Sequence, residues 1–353
     1  MMSKYKVIDA FCGAGGLSLG LKNAGFEIVL SFDLDNKAIE TIKQNAPEHK
    51  SIVCDVKSIR DHTEFKALSL KKGELDLLAG GPPCQGFSIQ RTVGSDHDDR
   101  NLLIDDYGDL IRALLPKFFL LENVPSIGGK RGKAILEKFK ADMAKLGYLC
   151  HEQIIDAQDY GVPQRRKRYI LVGEFTTNAK PSFAWPQKVS SPKMTVRETI
   201  AYLPELPLSS QDMVKYPLHR ADKLSEINKL RISFLKEGQS RKDLPDELLA
   251  ECHKISADII GHRNVYGRMS WDDVAPTITA KFDSFTRGKF GHPSQNRSIS
   301  LLEGALLQTF PKDYLFIGNK VEIARQIGNA VPPLLSYHLG LSIIHALDIK
   351  YAI

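Results

Sequence analysis

The chain has 353 residues, 42% hydrophobic and 25% charged, which is the composition of an ordinary globular protein. Its formal net charge of +6 favours polyanionic partners, because Lys and Arg neutralise phosphates. The five cysteines lack zinc or disulfide spacing, and no run of about eighteen apolar residues occurs. We therefore expect no metal, no disulfide framework, no membrane association and a cytoplasmic location.

The first 175 residues alternate short apolar runs with helix-like stretches. Candidate strands span residues 6–11, 27–32, 51–55, 75–79, 118–121, 149–155 and 169–172, and candidate helices span 17–24, 36–45, 107–115 and 133–146. Gly25 and Gly147 follow two of these helices, where a left-handed C-terminal cap would place a glycine. The pattern predicts an α/β fold with a doubly wound, mostly parallel sheet.

The character of the sequence changes near residue 181. Prolines become frequent and the alternation of strands and helices disappears, which marks a boundary into a smaller, irregular unit. Residues 181–300 carry 18 Lys and Arg against 14 Asp and Glu, so most of the excess positive charge lies there. This distribution supports contact with nucleic acid in the second unit without proving it.

The glycine-rich run 11–16, FCGAGG, follows the first predicted strand and opens the first helix. Glycines at this position let the backbone turn sharply and let a ligand approach the helix N-terminus, although a plain tight turn is an equal reading. Asp33 ends the second predicted strand and Asp55 the third, at the sheet edge where ligands of such folds bind. Either carboxylate could accept hydrogen bonds from a ribose or an amine, or could merely cap a helix.

Residues 81–88, GPPCQGFS, follow the fourth predicted strand. A structural cysteine usually sits among apolar residues, whereas Cys84 lies on a Gly- and Pro-rich loop beyond a strand end. A nucleophilic thiol needs that access, and neighbours that favour its thiolate form. Cys84 is therefore a candidate nucleophile.

Two further motifs follow strands or precede them. Glu122, in the ENV run 122–124, lies at the mouth of a buried strand and is a candidate proton donor to a ring nitrogen. The run 164–168, QRRKR, precedes the last predicted strand. Alternation along an extended segment would aim Arg166 and Arg168 toward the site and Arg165 and Lys167 away from it, although a basic surface patch is an equal reading.

Taken together, these motifs resemble those of the C5-cytosine DNA methyltransferases of the bacterial restriction–modification type. The resemblance covers nearly the whole chain, in the family's order. It rests on FCGAGG, Asp33, Asp55, GPPCQGFS, ENV and QRRKR, then Arg268 with PTIT at 276–279, Arg297 with LQTFP at 307–311, and QIGNAVP at 326–332.

The resemblance implies a mechanism in which Cys84 adds to C6 of a cytosine and carbon 5 then attacks the methyl group of S-adenosylmethionine, leaving S-adenosylhomocysteine. Glu122 would hold N3 and the exocyclic amine, and Arg166 would bind O2 of the base, with Arg168 beside it. The base must leave the stacked duplex for this chemistry, and the polar loop after Pro83 would close over it.

The resemblance also implies cofactor contacts and a domain organisation. The implied contacts are Phe11, Gly13, Ala14, Gly16, Asp33, Leu34, Asp55, Val56, Pro83, Leu103, Asn329 and Val331. Residues 1–183 and 312–353 would form a discontinuous catalytic domain, with the last helix packed into it, and residues 184–311 the target-recognition domain and hinge. Double-stranded DNA would be the partner of a monomer that acts at the bacterial nucleoid. Whether a restriction endonuclease accompanies it, acting independently, stays open.

Two residues depart from the family's pattern. Asp33 stands where relatives often carry Glu, and Leu302 stands where many carry Arg, which puts one supporting salt bridge in doubt. Candidate base contacts are Arg263, Lys281, Arg287 and Lys289, with phosphate contact as the simpler alternative. The competing functions are a tRNA cytosine methyltransferase, a catalytically silent DNA-binding regulator and a nicotinamide dehydrogenase, the last disfavoured by the incomplete GxGxxG pattern.

Overall fold

The computed structural model describes residues 5–83, 102–130, 132–176, 180–189, 191–249 and 265–351. The chain divides into two compact units. Unit 1 comprises Met1–Tyr160, Lys167–Val189 and Ala330–Ile353, and unit 2 comprises Gly161–Arg166 and Ser190–Asn329. Residues 312–329 thus group with unit 2, whereas the sequence analysis placed them in the first domain.

Unit 1 is built on a seven-stranded sheet in the order β3-β2-β1-β4-β5-β7-β6. The strands are β1 (Tyr5–Ala10), β2 (Phe26–Asp33), β3 (Ser51–Val53), β4 (Leu77–Gly80), β5 (Phe118–Asn123), β6 (Tyr148–Asp156) and β7 (Lys167–Phe175). The first five strands in chain order are parallel, and β7 runs antiparallel to both β5 and β6. The predicted α/β class and mostly parallel sheet are confirmed.

Five helices of unit 1 connect these strands: α1 (Gly16–Ala24), α2 (Asn36–Asn45), α3 (Thr63–Ala67), α4 (Leu102–Leu114) and α5 (Lys133–Lys145). The chain passes from β1 to β2 through α1, and β1 also pairs with β4, so the strand order reverses at β1. Such a switch point opens a crevice at the carboxyl ends of the strands. Gly25 ends α1 at φ 116° and Gly147 follows α5 at φ 99°, as their predicted capping roles require.

The last described helix, α11 (Pro333–Tyr351), belongs to unit 1 and packs against α1. Its close approach depends on Gly20, where a β-carbon would lie 2.2 Å from the carbonyl oxygen of Pro333. At the other end, Lys350 donates to the buried carboxylate of Glu174 at 3.0 Å and to the carbonyl of Phe175 at 2.8 Å. The two ends of the sequence therefore share one core.

The described residues of unit 2 form short helices joined by irregular chain: α6 (Val196–Ile200), α7 (Ser210–Lys215), α8 (Glu226–Phe234), α9 (Leu301–Leu307) and α10 (Lys320–Asn329). Its described residues form only isolated β-bridges, in keeping with the irregular character expected from the prolines. The buried guanidinium of Arg268 holds several irregular segments of this unit together through their backbone carbonyls. It donates to the carbonyls of Leu235, Ile232, His292 and Gln295 at 2.6–2.9 Å.

One helical stretch, Lys320–Tyr351, is long and apolar enough to cross a membrane by length and composition alone. Of an apolar window of 18 residues within this stretch, 61% is buried inside the protein. Its C-terminal part, α11, covers α1. This packing is that of a core helix, and a core helix can be as long and as apolar as one that crosses a membrane.

Candidate active site

The glycine-rich run 11–16 forms the turn between β1 and α1. Gly13 and Gly15 have φ of 49° and 82°, and α1 begins at Gly16. A β-carbon at Gly13 would meet nothing within 4 Å, so the space above this residue is open. Phe11 also has a positive φ, 57°, which a bulky residue adopts only under constraint. The turn therefore presents backbone N–H groups and open space at a helix N-terminus.

Asp33 lies at the end of β2 and is bound to this turn. Its carboxylate accepts hydrogen bonds from the N–H of Gly13 at 2.9 Å and from the N–H of Asp35 at 2.8 Å. Burial raises the pKa of Asp33. Asp35 caps α2 by accepting from the N–H of Lys37 and Ala38, so the capping role falls to Asp35 and not to Asp33.

The residues expected to contact the adenosyl group lie along the same edge of unit 1. Leu34 is 65% exposed, an unusual exposure for a large apolar side chain between a strand and a helix. Val56 is buried and Asp55 is half-buried. The strand β3 ends at Val53, two residues earlier than predicted, and the carboxylate of Asp55 accepts from the N–H of Lys57 at 2.9 Å.

The chain leaves β4 through Gly80, Gly81, Pro82 and Pro83. Asn123, at the end of β5, is buried and donates from Nδ2 to the carbonyl oxygen of Pro82 at 3.0 Å. The same side chain accepts from the N–H of Val124 at 2.8 Å, which fixes the orientation of its amide. The ENV motif thus anchors Pro82, which precedes Cys84 by two residues in the sequence.

Glu122 forms an ion pair with Arg168 beside this loop. The Nε atom of Arg168 lies 2.7 Å from Oε1 of Glu122, and the two side chains are only 12% and 13% exposed. A β-carbon at Gly81 would lie 3.2 Å from Oε2 of Glu122, so glycine leaves room for the carboxylate. The antiparallel direction of β7 brings its first residues to the carboxyl end of β5. The sheet topology therefore assembles the pair.

Arg166 has different partners. It is 1% exposed and donates to the carbonyl oxygens of Ile278 at 2.8 Å and Gly328 at 3.0 Å, all within unit 2. Residues 165 and 167 are exposed, so the predicted alternation along 165–168 is present. Arg168 therefore binds Glu122, whereas Arg166 binds backbone carbonyls of unit 2.

Glu303 follows Leu302, the position where many relatives carry Arg and where a supporting salt bridge was in doubt. Its buried carboxylate accepts from both Nη atoms of Arg297 at 2.7 Å and from the N–H of Ser300 at 2.6 Å. These bonds hold the pKa of Glu303 below its usual range in spite of burial. Arg297 thus gives this carboxylate a bidentate partner within unit 2, whatever the residue at 302.

Several expected site residues receive less support. Cys84 and Arg263 lie outside the described residues. Leu103 lies in the first turn of α4, and Ala14 is buried under the glycine-rich turn. Asn329 ends α10 in unit 2, whereas Val331 lies in unit 1.

Two residues of unit 1 were missed by the sequence analysis. The sequence showed Asn123 only as part of a motif, although an amide that follows a candidate catalytic carboxyl at a strand end is suited to hold a neighbouring segment. Asp9 is fully buried within β1, and its signal in the sequence is that it is the one charged residue in the otherwise apolar run 7–11. A lone acidic residue in a buried strand is the signal that could have found it.

Comparison with known proteins agrees with this geometry. A family model described as C-5 cytosine-specific DNA methylase matches residues 5–345. The type II methylase M.HgiDII of Herpetosiphon aurantiacus is 36% identical over 346 residues, covering 97% of this chain and 96% of the relative. The type II methyltransferase M1.HphI of Haemophilus parahaemolyticus is 32% identical, covering 97% and 89%.

Solved structures show the same fold. A crystal structure of a putative DNA modification methyltransferase encoded within an E. coli prophage has a TM-score of 0.75 at 25% identity, covering 98% of this chain and all of that one. The structure of Spodoptera frugiperda DNMT2 has a TM-score of 0.63 at 16% identity, with coverage of 97% and 100%. The chain belongs to the C-5 cytosine-specific DNA methylases and is a DNA cytosine methyltransferase.

Proposed function

We propose that this enzyme transfers the methyl group of S-adenosylmethionine to carbon 5 of a cytosine flipped out of a specific double-stranded DNA sequence, through a transient Cys84–C6 bond. The observation that carries the proposal is the ion pair of Glu122 and Arg168, placed beside Gly81. Cys84 follows Pro82 by two residues, and Asn123 holds the Pro82 carbonyl.

The residues around the glycine-rich turn fit an adenosyl cofactor. The open space at Gly13, the carboxylate of Asp33 and the exposed apolar face of Leu34 offer a turn, a ribose acceptor and a surface for a base. Asp55 and Val56 follow at the end of the next strand. The bound cofactor would supply an electrophilic sulfonium methyl group, and the protein would supply everything that makes carbon 5 nucleophilic.

The protein's part of the chemistry begins with the thiolate of Cys84. Addition of its sulfur to C6 breaks the 5,6-double bond and moves its electron pair onto carbon 5. Carbon 5 then becomes nucleophilic, as in an enamine. Glu122 would hold N3 and the exocyclic amine and stabilise the charge that develops on the ring. After transfer, a base removes the C5 proton, the electron pair re-forms the ring double bond, and the Cys84 sulfur leaves.

Arg168 is the residue that we assign to O2 of the base. Its ion pair with Glu122 places a cation next to the group that would hold the N3 edge, and a planar guanidinium can donate to two acceptors at once. Arg166, committed to two backbone carbonyls, would act by supporting unit 2. None of these contacts can form inside a stacked duplex, so the base must be extruded.

We further propose that unit 2 reads the DNA. Its exposed Lys281 and Arg287 suit phosphates or base edges. Lys289 is half-buried, and burial lowers its pKa. We propose a monomer that acts on DNA in the bacterial cytoplasm and serves a type II restriction–modification system, as the similarity to type II methyltransferases suggests.

The test is transfer of a labelled methyl group to DNA, to tRNA or to neither. We expect labelled DNA only, and bisulfite sequencing of DNA from an expressing host should then identify the methylated site. Duplexes with 5-fluorocytosine at that site should trap wild-type protein covalently, because fluorine cannot leave as a proton does. Labelled tRNA alone would contradict the DNA substrate, and failure to form the adduct would contradict the role of Cys84. A Cys84→Ser variant should bind cofactor without turnover.

A further inference from the structure

Asp9 is a fully buried carboxyl beneath the glycine-rich turn. It lies near the end of β1, two residues before Phe11, and is 0% exposed. Its Oδ2 accepts from the hydroxyl of Ser18 at 2.6 Å. Its Oδ1 is buried and has no hydrogen-bond partner among the residues that the structure describes. An asparagine could accept the same hydrogen bond from Ser18 without a charge. The hydrogen bond to Ser18 alone therefore does not explain why a carboxyl group is buried here.

A chain of hydrogen bonds leads from Asp9 toward solvent. Ser18, in the first turn of α1, shares a hydrogen bond of 3.0 Å with Ser31 of β2. Ser31 in turn lies 2.9 Å from Nε2 of His49, which is half-buried. Burial lowers the pKa of His49 to about 4, so its imidazole is neutral near pH 7 and can pass a proton without retaining it.

The charge that acts on Asp9 is that of another acid, Asp33. The titratable groups that face it are Cys12 in the turn, Asp33 on β2 and Tyr107 on α4, with His49 reached through Ser31. Burial raises the pKa of Asp9 to about 7, and the charge of Asp33 adds to the effect. The ordinary aspartate ionises near pH 4, so this carboxyl titrates in the physiological range.

We propose that Asp9 is a proton-linked positioning residue of the cofactor site, and that binding of the cationic cofactor shifts it from its protonated form toward its ionised form. The proposal rests on the assignment of S-adenosylmethionine above. The sulfonium of that cofactor carries a positive charge, and in a buried site of low dielectric such a charge favours the ionised form of a nearby carboxyl. The proton leaves through Ser18, Ser31 and His49 to solvent. The ionised carboxylate holds the hydroxyl of Ser18 more strongly and so fixes the first turn of α1.

The experiment is isothermal titration calorimetry of cofactor binding in buffers of different ionisation enthalpy, from pH 5.5 to 8.5. Wild-type protein should release on the order of half a proton near pH 6.5 if binding lowers the Asp9 pKa by about one unit. Asp9→Asn keeps the hydrogen bond to Ser18 and should abolish this release. S-Adenosylhomocysteine, which lacks the sulfonium charge, should release less than S-adenosylmethionine.

Two further variants make the result specific. Asp76→Asn removes a buried carboxylate that binds Lys117 and the N–H of Lys6 at the opposite end of the sheet, and it should leave the release intact. Ser18→Ala removes a bond that lowers the Asp9 pKa, so maximal release should move to higher pH. Equal proton release by wild type and Asp9→Asn, or loss of release in Asp76→Asn, would overturn the inference while leaving the cofactor proposal intact. Absence of any cofactor binding by wild-type protein would overturn both.

Discussion

The Nε atom of Arg168 lies 2.7 Å from the carboxylate of Glu122, although the two residues are separated by 46 positions and lie on strands of opposite direction. A parallel seventh strand would have placed Arg168 at the far end of the sheet. The reversal of β7 thus gives the carboxyl group a cationic neighbour at the edge where the cysteine loop begins.

Replacement of Glu122 by glutamine should lower kcat for methyl transfer by about 100- to 1,000-fold, the usual effect of losing a group that stabilises developing charge. Cofactor affinity should change little, because none of the residues proposed to hold the cofactor lies on β5. Glu152→Gln on β6 is the matched control and should keep wild-type kcat, since its carboxylate binds Tyr169 of β7 and Lys140 of α5. Wild-type turnover in Glu122→Gln would refute its role.

Arg166 and Arg168 should respond in opposite ways to replacement by methionine. Arg166→Met leaves the carbonyls of Ile278 and Gly328 without their donor, and each buried unsatisfied group costs about 1–3 kcal/mol. Its melting temperature should fall. Arg168→Met should keep nearly wild-type stability and lose turnover. The melting temperature and kcat of both variants are the measurements. Loss of turnover in Arg166→Met with wild-type turnover in Arg168→Met would assign O2 binding to Arg166.

Asn123→Ala should slow the reaction of the cysteine by about tenfold, which corresponds to roughly 1.4 kcal/mol, because the Pro82 carbonyl loses its donor. The measurement is the rate of covalent trapping by DNA that contains 5-fluorocytosine. Asn45→Ala is the control, since its side chain also donates to a backbone carbonyl, that of Thr41, but at the end of α2. An unchanged trapping rate would show that Asn123 does not hold the loop.

Gly20→Ala should destabilise unit 1 by at least about 1–3 kcal/mol, because the new methyl group would lie 2.2 Å from the carbonyl of Pro333 and would force α11 away from α1. Gly128→Ala has no atom within 4 Å of the new carbon and should be nearly neutral. Urea unfolding of the two variants provides the comparison. Equal stability would mean that the helices can separate at no cost.

Asp9 should make stability depend on pH. Its pKa is raised to about 7 in the folded protein, from an ordinary value near 3.8, so the folded state binds the extra proton between these values. Stability from this group is therefore full below about pH 4 and is lost as pH rises toward 7. His292, whose pKa is lowered to about 4, acts in the opposite direction. The difference in unfolding free energy between wild type and Asp9→Asn isolates the first effect and should favour the variant increasingly from pH 5 to pH 8.

The sequence predicted the sheet well because buried parallel strands are short, continuous apolar runs bounded by glycines and acids. It predicted α4 to begin at residue 107, whereas the helix begins at Leu102, because Asp105 and Asp106 interrupt the apolar pattern of its first turn. Local pattern also placed Arg166 and Arg168 on one face. It could not separate their roles, because the partners of Arg166 lie 112 and 162 positions away.

The position of α11 has a consequence for biosynthesis. Its apolar face completes the layer over α1, yet the ribosome makes it after every other described element. A nascent chain can form the sheet of unit 1 and the short helices of unit 2 while α1 still lacks its cover. Enzymatic competence would then arise only once α11 has been made and has packed onto α1, so a translation product that stops before Pro333 should be unable to methylate DNA.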